Sequence, residues 1–281
     1  MEVISTIAEL KARVADARKA GKSVGLVPTM GALHVGHLSL AKRACAENDF
    51  TVVSVFVNPT QFNNPEDLRT YPRTLDADVK LLQDNTSVSI VFAPTAQEVY
   101  PQPDTRQFDL GPVAEVMEGA HRPGHFNGVC QIVSKLFAYV SPDKAYFGEK
   151  DFQQIAVIRR MVEICDFKLE IVPCPIVREA DGLAVSSRNT LLTPEHRAAA
   201  PHIHEVLQAS KALVGQMTPA ELVDWTTKKV NENPLLVTEY YEIVDARTLQ
   251  PISSWADTQE PHGCITVQAG NVRLIDNMSL K

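Results

Sequence analysis

Apolar residues along the chain fall first into short, nearly unbroken runs. Val24 to Val27 and Thr51 to Val57 are β-branched and almost continuous, and Ser87 to Phe92 (SVSIVF) is a third such run. Strands that read this way are buried on both faces, as in a parallel sheet covered by helices. Leu38 to Asn48, between the first two, is rich in Ala, Leu and Lys and predicts the crossover helix of a βαβ unit. The period then changes. Val129, Ile132, Val133, Leu136, Phe137 and Val140 recur at the spacing of one helix face, so a buried amphipathic helix is expected there. A short strand at Lys144 to Phe147, a helix from about Asp151 to Cys165 and a strand at Lys168 to Val172 continue the alternation. Around Pro173 and Pro175 it stops. Helical stretches at about Pro194 to Val214 and Pro219 to Asn231 precede strand-like runs near Tyr240 to Val244, Cys264 to Ala269 and Asn271 to Ile275. The pattern predicts a doubly wound α/β domain over residues 1–175 and a smaller α+β domain over 176–281.

A chain of 281 residues with 44% hydrophobic content can bury a substantial core. Its net charge of −7 supplies no basic field for a polynucleotide backbone, so a nucleic-acid partner is not expected. The five cysteines, Cys45, Cys130, Cys165, Cys174 and Cys264, are widely spaced with no C-x-x-C pair, which suggests buried reduced thiols and neither a disulfide framework nor a zinc site. The amphipathic N-terminal stretch is interrupted by charges, excluding a signal-peptide core or a membrane span there. A soluble cytoplasmic protein without membrane association is expected.

Candidate chemistry gathers where predicted strands end. Pro28 to His37, PTMGALHVGH, joins the first strand to the first helix, at the sheet edge where open α/β folds bind ligands. Its helix start offers unpaired N–H groups to an anion, and His34 and His37, three apart, put two imidazoles on one face. Nucleotide phosphates are the expected ligand; a capping or packing role for the histidines is the plainer alternative. No Walker-type or G-x-G-x-x-G motif occurs. The second strand delivers Asn58 and Gln61, amides suited to a small polar substrate, or else an Asn-Pro turn with Gln61 in solvent. Gly148 to Gln154, GEKDFQQ, again follows a strand: Asp151 and Gln154 fit a helix capping box, whereas Lys150 fits a phosphate or developing oxyanion. Val185 to Asn189, VSSRN, reads as a phosphate clamp or a solvated turn. Arg122 to Gly128, before the long buried helix, reads as a loop capped by Asn127.

Taken in order, PTMGALHVGH, VFVNPTQF, YPRT, RPGHFNGV, FGEKDFQQ and VSSRN resemble the pantothenate synthetase, or pantoate–β-alanine ligase, family over most of the chain. The resemblance implies a Rossmann-like N-terminal domain, a smaller C-terminal domain that closes over it, and a homodimer built on the N-terminal domains. It implies a two-step, Mg²⁺-requiring reaction in pantothenate and coenzyme A biosynthesis. ATP and pantoate give pantoyl adenylate and pyrophosphate, and β-alanine then gives pantothenate and AMP. Carried over by position, the ATP-binding turn is Met30, Gly31, Ala32, Leu33, His34, Val35, Gly36 and His37. Lys150, Ser186, Ser187 and Arg188 match the groups that hold the phosphates, and His34, His37, Lys150 and Arg188 are the implied catalytic set. Gly148, Glu149, Asp151 and the backbone of Val177 match nucleotide contacts, and Val185 stands where the family usually has methionine. Gln61 and Gln154 match the pair that holds pantoate, with Asn58 beside them, and Asp78 lies in a stretch associated with the metal. A nucleotidyltransferase with the same histidine turn, or a non-catalytic nucleotide-binding regulator, is the competing expectation.

Overall fold

A computed structural model describes all 281 residues. The chain runs β1 (Glu2–Ile4), α1 (Ile7–Lys19), β2 (Val24–Thr29), α2 (Val35–Glu47), β3 (Phe50–Val55), α3 (Pro65–Thr70), α4 (Leu75–Asn85), β4 (Ile90–Phe92), α5 (Ala96–Val99), α6 (Glu118–His121), α7 (His125–Val140), β5 (Lys144–Gly148), α8 (Phe152–Ile164) and β6 (Glu170–Cys174). It continues through α9 (Pro194–Ala199), α10 (His202–Lys211), α11 (Pro219–Asn231), β7 (Leu236–Asp245), β8 (Pro261–Ala269) and β9 (Val272–Ser279). Two compact units result. The first holds residues 1–110, 122–149 and 154–175, and the second 111–121, 150–153 and 176–281.

The first unit carries a six-stranded sheet in the order β1-β4-β3-β2-β5-β6, every pair parallel. Val27, Val53, Val91 and Tyr146 sit at its fully buried centre, as the continuous apolar runs predict. From β2 the chain adds β3 and β4 on one side and β5 and β6 on the other. The strand order therefore reverses between β2 and β5, and their carboxyl ends flank the crevice that such a reversal opens. The helix expected from Leu38 starts at Val35, because His34 caps it. Before α7 the cap is Gly124, in the left-handed region at φ 81°, and not Asn127. Asn127 lies inside the helix, donating to Arg106 O and accepting from Phe108 N.

In the second unit an antiparallel sheet, β7-β8-β9, packs against α10 and α11 around Leu207, Leu222, Ile265 and Val267. The fold class is the expected one, with one interruption: the helix predicted over Pro194 to Val214 breaks at Pro201, which has no N–H to donate. Thr218 and Glu221 form a capping box on α11, with Pro219 in its first turn. Arg273 holds Glu118 through two bonds of 2.6 and 2.7 Å, fastening segment 111–121 to the sheet.

Candidate functional site

The turn after β2 is built by side chains on its neighbours. Thr29 Oγ1 donates to Ser54 O on β3 at 2.5 Å and accepts from Gly31 N at 3.2 Å, turning the chain out of the sheet. Gly31 and Ala32 then adopt left-handed backbone, at φ 84° and 50°. Glycine does so freely, while alanine gives up on the order of 1 kcal/mol. Asp78, 2% exposed on α4, holds the pair there: Oδ2 accepts from Ala32 N at 3.0 Å and Oδ1 from Leu33 N at 2.8 Å. Thr74 Oγ1 adds a third bond to Oδ1 at 3.1 Å. Asp78 therefore anchors the turn. Buried and already bound to three donors, its carboxylate does not fit a cation ligand, and no group of three or more His, Cys, Asp or Glu side chains gathers to hold a metal.

The two histidines close the turn. His34 Nδ1 accepts from Gly36 N at 3.2 Å, and His37 Nδ1 accepts from His34 N at 3.4 Å. A backbone N–H can only donate, so the proton of each neutral ring sits on Nε2. The rings stack with centroids 4.0 Å apart, too close for both to carry charge cheaply. Capping and ligand binding are thus not rival roles: Nδ1 caps the helix while Nε2 carries the proton.

At the end of β3 the amides divide their work. Asn58 is wholly buried, and its Nδ2 donates to Gln61 Oε1 and to Gly128 O, each at 3.1 Å, while its Oδ1 accepts from Tyr100 Oη at 2.8 Å. Burial pushes the Tyr100 hydroxyl up to about 12, so it stays protonated and donating. Asn58 accordingly does not reach a ligand; it fixes the Gln61 carbonyl and leaves the Gln61 Nε2 to donate. Gly128 permits this packing, since a Cβ there would lie 2.2 Å from Thr60 O and 2.7 Å from Gln61 Cα. His125 Nδ1 meets Gln61 O at 2.8 Å. Gln154 lies in the first turn of α8, in the same unit.

After Gly148 the chain enters α8 through a 3-10 turn, Glu149–Asp151, with Asp151 exposed and Lys150 half-buried. Lys150 and Asp151 belong to the second unit, as do Val177 and Val185 to Arg188. There Val185 N donates to Val177 O at 3.0 Å, so two residues matched to nucleotide contacts are neighbours. Ser186 caps the turn Ser187–Leu191 by accepting from Arg188 N at 3.3 Å, and Asn189 Nδ2 braces it on Ala184 O at 3.0 Å. The positions that motif reading passed over are Asp78 as anchor, Tyr100, and Gly128 as a close-approach glycine. Only Gly128 has a visible sign, a glycine set between Asn127 and the apolar stripe that begins at Val129.

An α/β sheet that brings a histidine-capped helix start to its strand-order reversal defines a nucleotide-using enzyme class. Residues 2–279 match the family model described as pantoate-beta-alanine ligase. The pantothenate synthetases of Porphyromonas gingivalis and Bacteroides thetaiotaomicron are 59% and 58% identical to it, with 99% or more of every chain covered. Among solved structures, the Thermus thermophilus pantothenate synthetase superposes with a TM-score of 0.92 at 45% identity, over 100% of this chain and 99% of that one. The Francisella tularensis pantoate-beta-alanine ligase, complexed with beta-gamma ATP and beta-alanine, gives 0.82 at 33% identity over 100% and 98%. The chain belongs to the pantoate–β-alanine ligase family and is a ligase.

Proposed function

We propose that this ligase joins pantoate to β-alanine, using ATP, to make pantothenate. The observation that carries the chemistry is the histidine pair whose protonated Nε2 atoms are fixed at a helix start beside the strand-order reversal. A carboxylate and an amine at neutral pH form a salt, so the acyl oxygen must first become a leaving group. A pantoate carboxylate oxygen attacks the α-phosphorus of ATP, the bond to the bridging oxygen breaks, and pyrophosphate leaves with its electron pair. The neutral amine of β-alanine then attacks the acyl carbon of pantoyl adenylate; AMP departs and the amide nitrogen loses its extra proton. No covalent enzyme intermediate is needed, and catalysis rests on positioning and charge stabilisation.

In this reading His34 and His37 donate to phosphate oxygens, as does the Val35 amide, the other amides from Gly31 to Gly36 being held by the fold. Lys150, Ser186, Ser187 and Arg188 neutralise the phosphate charge that an acidic chain would otherwise repel. Gly148, Glu149, Asp151, Val177 and Val185, with Met30, contact the rest of the nucleotide. Gln61 and Gln154 donate to the pantoate oxygens, Gln61 with its carbonyl already taken by Asn58. Magnesium enters with the ATP phosphates rather than in a protein carboxylate cage. Two copies pair through the N-terminal region, and the enzyme works in the cytoplasm, where ATP is available and the five free thiols stay reduced. No helix is long and apolar enough to cross a membrane.

Pyrophosphate release from ATP that requires pantoate, and AMP release that further requires β-alanine, are the expected results. A stable adenylated product that no amine consumes would instead mark a nucleotidyltransferase. Gln61→Ala is expected to raise the KM for pantoate at least about 10-fold, the loss of a hydrogen bond to a charged group, and to leave the KM for ATP within about twofold by the same account. Initial-rate kinetics in each substrate decide it, and the reverse order would remove Gln61 from the pantoate site.

A further inference from the structure

Lys150 is carried on a short segment that the second unit grips by its backbone. Asn277, on β9, donates from Nδ2 to the main-chain oxygen of Lys150 at 3.0 Å. A carbonyl can only accept, so the orientation of this amide is settled: Nδ2 faces Lys150 and Oδ1 faces away. On that other side His262 Nε2 lies 2.9 Å from Asn277 Oδ1, so His262 must donate from Nε2. Both residues are buried, at 5% and 9% exposure, and neighbouring strands hold them, β8 pairing with β9 along their length. Burial pulls the His262 imidazole below its usual range against the opposing effect of Asn277, which keeps the ring neutral and leaves Nδ1 without a proton. The same ring lies flat on Phe152, two residues beyond Lys150, with centroids 3.8 Å apart and planes 4° from parallel. Gln153 completes the grip, donating to Val113 O and Val116 O at 2.9 and 2.8 Å.

A buried His–Asn pair is a costly way to satisfy one carbonyl, because each polar group must find a partner away from water. It is well suited to setting the direction in which a neighbouring side chain leaves the backbone. We infer that Asn277, oriented by His262, is a positioning residue for Lys150, fixing the origin of the ammonium that meets the phosphates. This rests on the assignment of Lys150 to the phosphates of ATP.

The test uses Asn277→Asp in the full-length chain. The substitution conserves shape and still accepts from His262, but it removes the donor and sets an acceptor against the Lys150 carbonyl. Single-turnover pyrophosphate release is expected to slow about 10-fold, the cost of a modest misplacement of a charged group, with the KM for pantoate within about twofold of native. Lys150→Ala is expected to be slow, and adding Asn277→Asp to it to cost nothing more, because the group being positioned is gone. A further full loss in the double variant would overturn the inference, as would a native rate in Asn277→Asp beside a slow Lys150→Ala. A native rate in Lys150→Ala would remove both the phosphate assignment and the inference built on it. If Asn277→Asp does not fold, His262→Phe decides, since it retains the stack on Phe152 and loses only the bond: the same rate should fall at least about threefold, and a native rate rejects the proposal.

Discussion

His37→Ala is expected to slow pantoate-dependent pyrophosphate release by more than about 10²-fold, the loss of one preorganised donor to developing phosphate charge. Alanine removes two things, the Nε2–H donor and the Nδ1 acceptor that caps His34 N. The second contributes about 1 kcal/mol, too little to unfold a domain of this size. Conservative variants separate the two. Asparagine at position 37 can still accept near the place of Nδ1 but has no donor near the place of Nε2, so His37→Asn should regain stability without rate. Glutamine reaches the Nε2 position, and His37→Gln should regain part of the rate. Thermal melts and single-turnover assays on the three proteins check this, and native rates in all of them would make His37 a cap and nothing more.

What could be read in advance follows from how far apart the partners of each feature lie. β2 and β3 are legible because strands covered on both faces are apolar at every position, and α7 because one stripe of it is buried. β1 is only three residues long and shows no period, so its pairing with β4 at the sheet edge has no sequence sign. The histidine turn is local, and spacing alone suffices to predict two imidazoles on one face. That Nδ1 of each ring caps the helix is a matter of angle, and spacing does not show it. Asn58 and Gln61 look equivalent as a pair of amides, yet Gly128 and Tyr100, 70 and 42 residues from Asn58, consume its side chain and leave only Gln61 available. Asn277 is 127 residues from Lys150, and nothing in either segment announces the other. Long-range polar pairs are specified by the fold and leave no local sign in the sequence.

Asp78 has the second large effect expected of a single substitution. Its carboxylate accepts from Ala32 N and Leu33 N, and those bonds hold Ala32 in left-handed backbone just ahead of His34, the residue that caps α2 and is itself capped by His37. Bonds to a charged acceptor are each worth about 1.5–3 kcal/mol. Asp78→Asn keeps one acceptor but turns an NH₂ group toward an N–H, so a loss of about 2 kcal/mol is expected, measured by denaturant titration. With the clamp gone Ala32 can relax toward ordinary φ, the helix start shifts, and the rate should fall by about 10²-fold, as for a displacement near 1 Å at a reacting centre. Magnesium dependence separates this from a metal-ligand role. An anchor leaves the half-saturating magnesium concentration unchanged in the variant, because the turn and not the cation has lost its partner. A several-fold rise in that concentration with stability intact would mean that Asp78 serves the metal, and would overturn its assignment as the residue that shapes the turn before α2.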